Sequence, residues 1–337
     1  MNGVSGTRSY ATRLLRPANL VTVALLALLY FAGQWVLNAH LLNPFYQTLL
    51  FTIGINIILA VSLNLVNGFL GQLSLGHAGF MAIGAYTAGA LTVKLGLPLV
   101  VAVVSAAAAA GLAGLLVGLP TLRLRGDYLA IATLGFGEIV RSVLYNVDYV
   151  GGATGLIGIP QLTTWPWLFG MVLVTVLVVK NLAGSSHGRA IRAIAADEVA
   201  AEDSGIATTR YKVLGFAISS ALAGIGGALY AHYFYIIQPT TFSFLKSFDI
   251  LVFVVLGGLG SVTGSIISAT ALSILNAELQ QLAAWRMVIY GLALVLMMIY
   301  RRSGLMGESE LSFAGVSRFL AGITQRRGQQ HGTLGDA

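Results

Sequence analysis

The stretch that decides the fold runs from Gly184 to Ala231, GSSHGRAIRAIAADEVAAEDSGIATTRYKVLGFAISSALAGIGGALYA. Its front is charged: Arg189, Arg192, Asp197, Glu198, Glu202, Asp203, Arg210 and Lys212 are eight of the chain's 31 charged side chains. Its back is apolar: residues 213–235 hold no ionisable group stronger than histidine or tyrosine and are long enough to cross a bilayer. The front reads as two short helices, with Asp197 as N-cap, Glu198 in the first turn and Gly205 as the stop. A charged helical loop between apolar spans belongs in water, where a soluble partner can grip it. In the back, Gly215, Ser219, Ala223 and Gly227 stand four apart, as do Ser220, Gly224 and Ala228. Small residues at that spacing let helix backbones approach closely in lipid, so this face predicts a packing seam.

The whole chain agrees with a membrane reading. Of its 337 residues, 57% are hydrophobic and only 9% charged, with a mean hydropathy of +0.84; soluble domains carry about 25% charge. The fold class expected is an all-α, polytopic transmembrane bundle of about 8–10 spans. There is no cysteine, which excludes disulfides, thiolate metal sites and cysteine nucleophiles.

Apolar runs at 20–37, 46–66, 80–93, 99–119, 128–145, 167–179 and 213–235 mark successive spans. Residues 249–256 re-enter and break at Gly257-Gly258-Leu-Gly260-Ser261, where a discontinuous helix or two spans both fit; 265–275 and 287–300 follow. With this threading, 15 of the 19 Lys and Arg fall on the inner side. Lys94, Lys246 and Arg286 fall outside, and Arg141 lies within a span. Positive charge collects on cytoplasmic loops, so both termini are expected on the cytoplasmic side. The expected division is an N-terminal arm (1–19), a transmembrane domain (20–305) containing the charged loop 184–212, and a polar, disordered tail (306–337).

Two further motifs carry polar groups, and the first is too polar and glycine-rich for an ordinary span. Asn64-Leu-Val-Asn67-Gly68-Phe-Leu-Gly71-Gln72-Leu-Ser74-Leu-Gly76-His77-Ala-Gly79-Phe80 suits close packing or an unwound segment lining a water-filled path. Asn64, Asn67, Gln72, Ser74 and His77 are its candidate path residues, with His77 more simply a hydrogen-bonded structural histidine. Thr133-Leu-Gly135-Phe-Gly137-Glu138-Ile-Val-Arg141 sets Glu138 and Arg141 three apart on one face, a pair for structure near the span's outer end or for substrate.

Absences narrow the chemistry. None of the four lysines, Lys94, Lys180, Lys212 and Lys246, follows a glycine, so no Walker A loop holds a nucleotide phosphate. No His/Glu cluster has zinc spacing and no serine sits in a nucleophile elbow. No catalytic residue, metal or cofactor is expected, and any ATP coupling must come from other chains. An ion-coupled secondary transporter using Glu138 or Asp249 is the competing reading; it leaves the charged loop unexplained.

Val199-Ala200-Ala201-x-x-x-Gly205 resembles the coupling loop by which ABC importer permeases dock on their ATPases, departing from it at Val199, where Glu is expected one place after Glu198. The Asn67–Phe80 motif resembles the signature of branched-chain amino-acid importer permeases. Leu122-Arg-Leu-Arg-Gly-Asp127-Tyr128 with Ala132–Arg141, Gly151-Gly-Ala-Thr-Gly155-Leu-Ile-Gly158-Ile-Pro160 and Gly257–Ser261, with Arg302-Ser-Gly304-Leu, are similar to the M-type (LivM-type) subunit. This resemblance implies alternating access in a complex with an H-type sister permease, two ABC ATPase subunits and a periplasmic amino-acid-binding protein. It implies that Arg192, Asp197, Glu198, Ala200, Ala201, Glu202 and Gly205 meet the ATPase, which alone binds ATP. It leaves open leucine-type amino acids, other amino acids, urea and amides.

Overall fold

A computed structural model describes residues 17–39, 43–121 and 126–279, with 288, 291, 292 and 295. The basic arm at Arg8, Arg13 and Arg16, residues 122–125, most of the 287–300 run and the polar tail lie outside the described residues. The chain divides into two compact units, one comprising residues 1–42 and 310–337, the other Asn43–Ser309. The first contains helix α1 (Pro17–Asn38).

Among the described residues the second unit is helical apart from two short strands and its connecting turns. Its elements are α2 (Pro44–Asn64), continued by a π-turn at Leu65–Phe69, then α3 (His77–Leu95), α4 (Leu99–Thr121) and α5 (Asp127–Asn146). After β1 (Leu156–Ile157) come α6 (Trp165–Gly184), α7 (Ser186–Ala196), α8 (Glu198–Asp203) and α9 (Thr208–Phe234), then β2 (Ile236–Ile237), α10 (Phe244–Gly257) and α11 (Val262–Glu278). Six helices among the described residues are long and apolar enough to cross a membrane: α2 with its π-turn, α3, α4, α5, α6 and α9. Pro44 opens α2, where its missing N–H costs nothing. Asp127 is the first residue of α5 behind Gly126, and no side chain caps that helix.

Helix α9 is the central post. A Cβ at Gly227 would lie 2.0 Å from the Met81 carbonyl oxygen, and one at Gly224 2.6 Å from Ala110 Cβ. Opposite, a Cβ at Gly84 would stand 2.2 Å from the Gly224 carbonyl oxygen. The small residues thus bring α3 to one side of α9 and α4 to the other at backbone contact. Gly215, Ser219, Ala223 and Gly227 are all buried, and Ser219 Oγ donates to the Ser62 carbonyl of α2 at 2.6 Å.

The glycine break resolves as two antiparallel helices rather than one interrupted helix. Gly257 and Gly264 touch backbone to backbone, and fifteen residues apart Ser268 Oγ donates to the Phe253 carbonyl. At the far end of α9 a two-residue ladder pairs Leu156 with Ile237 and Ile157 with Ile236.

Candidate functional site

Three sequence motifs far apart in the chain converge on the segment that follows α2. Asn64 uses both ends of its amide on the glycine turn between α10 and α11: Nδ2 donates to the Ser261 carbonyl and Oδ1 accepts from Gly260 N–H, each at 2.9 Å. Gly68 has no room for a side chain, because a Cβ would lie 2.2 Å from Gly260 N. Leu75 N–H donates to Thr133 Oγ1 at 3.0 Å. Gly76 and Gly79 press against the α5 backbone at Thr133 and Gly137. His77 is buried, its Nε2 2.7 Å from Ser62 Oγ.

The middle of this segment is polar and incompletely satisfied. Asn67 Oδ1 accepts from Ser74 N–H at 3.1 Å, but Asn67 Nδ2, Gln72 Oε1 and Ser74 Oγ are buried with no hydrogen-bond partner. Buried polar groups are nearly always paired, so three orphans in eight residues mark a place whose partners come from elsewhere.

The same segment meets the charged loop. Gly71 adopts a left-handed φ of +65°, and a Cβ there would stand 3.2 Å from Ala195 Cβ of α7. A cleft of about 410 Å³ opens between them, lined by Gln72, Asp127, Ala195, Glu198 and Lys212 among others.

The loop itself is built from helix ends. Ser185 Oγ accepts from Gly188 N–H and caps α7. Asp197 Oδ1 accepts from Val199 and Ala200 N–H at 2.9 and 3.1 Å and caps α8. At the other end Gly205 N–H reaches the Glu202 carbonyl and Ile206 N–H the Ala201 carbonyl, the paired pattern of a Schellman ending. Gly205 carries the positive φ, +82°, that this ending requires. Arg192 turns back to the Ala183 carbonyl at the end of α6. Glu198 reaches Lys212 Nζ at 2.6 Å, and Lys212 is buried on α9. Ala200, Glu202 and Gly205 face outward with Arg192 and Asp197, whereas Ala201 turns inward and is buried.

Glu138 and Arg141 form a 2.6 Å ion pair, each side chain about a third exposed. Glu138 stands eleven residues into α5, about 16 Å along it at 1.5 Å per residue, and Arg141 lies nearly one turn farther toward its C-terminal end. The other carboxylate oxygen, Oε1, accepts from Phe244 N–H at 3.1 Å. Helix α10 therefore begins about halfway along α5, with Glu138 at its positive end.

Sequence reading passed over two residues here. Lys246, threaded to the outer side, lies on α10 and donates from Nζ to Asn56 Oδ1 at 3.0 Å. Asn56 itself is buried and donates to Ser273 Oγ at 2.9 Å. A lysine beside an apolar run, with Asp249 three residues on, was the available signal. Among the described residues no group of three or more His, Cys, Asp or Glu is placed to hold a metal.

Residues 45–298 match the family described as branched-chain amino acid transport system, permease component. The chain is 37% identical over 287 residues to the high-affinity branched-chain amino acid transport system permease protein LivM of Salmonella typhimurium, covering 75% of this chain and 68% of that protein. The LivM protein of Escherichia coli matches with the same identity and coverage. The Salmonella typhimurium LivH permease is 26% identical over 191 residues, 55% of this chain and 60% of its own length. No solved structure matches.

Proposed function

The chain belongs to the branched-chain amino acid transport permease family, and from that membership we propose how it works as the membrane permease subunit of an ABC importer. It moves branched-chain or related amino acids inward by alternating access. Partner ATPases supply the energy, a sister permease of the LivH type completes the channel, and a periplasmic binding protein delivers the solute. The setting is the bacterial inner membrane, with both termini and the α7–α8 loop in the cytoplasm.

The observation that carries this reading is the contact of Gly71 with Ala195. It joins the outward-facing surface of α7 and α8 to the polar segment between α2 and α3. An ATPase dimer closing on Arg192, Asp197, Ala200, Glu202 and Gly205 would push α7 against Gly71. The under-bonded groups of Asn67, Gln72 and Ser74 lie next in line, where a zwitterion or water on the path would find partners. Asn64 and His77 hold the neighbouring backbone in place, and Glu138 and Arg141 stand farther along the path. Glu198 acts inside the permease, fixing α8 to Lys212 of α9. The family membership does not favour the ion-coupled alternative.

The test is uptake of labelled leucine by the reconstituted five-chain complex. Uptake should stop when the ATPase subunits are inactivated and continue when a protonophore collapses the gradient at fixed ATP. Uptake lost to the protonophore while ATP holds would overturn the reading.

A further inference from the structure

Taking the importer reading as its basis, we propose that Lys246, with Asn56 and Asp249, forms a mid-membrane station that receives the amino-acid zwitterion. The lysine takes the α-carboxylate and the aspartate faces the α-ammonium.

Depth is the first argument. Asn56 is twelve residues from the start of α2 at Pro44, about 18 Å along a helix that spans a roughly 30 Å hydrocarbon core. Lys246 Nζ touches Asn56 Oδ1, so an ammonium group is held deep in the bilayer. Charge at that depth is costly, and it faces a bundle interior or water rather than lipid.

The second argument is access. A groove of about 490 Å³ runs between α2 and α11, within the roughly 300–1,000 Å³ of small-molecule sites. Its polar lining is Thr48, Thr52 and Asn56, one turn apart on α2, with Ser273 and Asn276 on α11. It begins at Pro44 and Phe45, at the helix end expected on the outer side, and reaches Asn56.

The third argument is charge matching. Asn56 accepts one of the three ammonium protons, leaving donors for an incoming carboxylate. Asp249, at i+3 on α10, interacts electrostatically with Lys246. Together the two side chains carry no net charge, and neither does a zwitterion, so passage leaves the site's charge unchanged. The ion pair of Glu138 and Arg141 lies against α10's first residue, on α5 rather than α2.

The test begins with the permease alone in native membranes. Because the chain has no cysteine, Thr52→Cys is a unique thiol in the groove. It should react with small methanethiosulfonates, the anionic sulfonate reagent about tenfold faster than the cationic ammonium one, as a nearby positive charge dictates. Lys246→Met should abolish that preference and Lys246→Arg should keep it. In the full complex Lys246→Met should cut leucine uptake about tenfold or more while binding-protein-stimulated ATP hydrolysis persists, and Lys246→Arg should restore much of the uptake. A thiol inert to both reagents, a preference indifferent to Lys246, or normal uptake by Lys246→Met would overturn the station. If Lys246→Met is not inserted, Lys246→Gln takes its place. The labelling needs no ATPase, so its outcome stands whether or not the importer reading holds.

Discussion

Glu198 on α8 and Lys212 on α9 are joined at one end of the bundle by a 2.6 Å ion pair whose lysine is almost wholly buried. The six residues of α8 are too few to form a stable helix alone. This pair, the Asp197 cap and the Gly205 ending hold it at a fixed angle to the central post.

Removing the carboxylate with Glu198→Ala leaves a buried ammonium without a counter-charge. Glu198 is about a third exposed, so the cost should fall between the ~0–1 kcal/mol of surface pairs and the ~3–5 kcal/mol of broken buried ones, at about 1–3 kcal/mol. Thermal unfolding of the purified permease should register the loss. Lys212→Met in the same chain should recover part of it, since two apolar groups replace two charges. Equal stability of the single and double variants would show that the pair contributes nothing.

Gly205→Val should damage coupling without unseating the bundle. A Cβ at Gly205 meets no atom within 4 Å, so space is not the obstacle. The obstacle is φ +82°, which a β-branched residue strongly disfavours. The Ile206 and Gly205 N–H groups would then lose their carbonyls, and the outer face of α8 would tilt. We expect normal membrane levels, with stimulated ATP hydrolysis and uptake both reduced severalfold in the complex. Full association, hydrolysis and uptake would remove Gly205 from any role in coupling.

The local signals in this sequence were readable because each acts within one turn of chain. Asp197 before a short helix, Gly205 after it and the four-residue spacing on α9 all leave marks a few residues wide. The contacts that assemble the site leave none. Asn64 clamps Gly260 across 196 residues, and neither residue announces the other. The start of α10 at Phe244 was hidden for the same reason. Its first N–H is met by Glu138 from another helix while its N-cap Ser243 makes no side-chain cap bond of its own, so the apolar pattern starts the span only at Asp249 and leaves Lys246 outside it. Ala201 could not be oriented from sequence, because a six-residue helix is too short to show a periodic face.

The seam along α9 should tolerate no added bulk. At Gly227 a Cβ would lie 2.0 Å from a backbone oxygen, and at Gly84 2.2 Å from another; backbones cannot swing aside as a side-chain tip can. Gly227→Leu and Gly84→Leu should each cost at least the ~1–3 kcal/mol of overpacked cores and lower the yield of folded permease in detergent. Gly170→Ala, with nothing within 4 Å of its Cβ, is the matched control and should behave as the parent. Parent-like yield for both leucine variants would mean that the helices separate freely.

The orientation of the chain follows from the same loop. Ser204 is exposed beside Gly205, on the face that must meet ATPases if they are to drive transport. Because no native cysteine competes, Ser204→Cys reports one position. In inside-out vesicles an impermeant maleimide should label it readily. In spheroplasts, with the outer face exposed, it should stay unlabelled until the membrane is opened by detergent. A second thiol at Gln161, exposed near the C-terminal end of α9 where its amide bonds the Tyr233 carbonyl, should give the opposite pattern. One membrane-spanning helix, α6, separates the two positions in the chain, so both labels must invert together if the chain is reversed. Labelling of Ser204→Cys from the outer face would place the charged loop outside. No cytoplasmic ATPase could then reach it, and the importer mechanism built on α7 and α8 would fail.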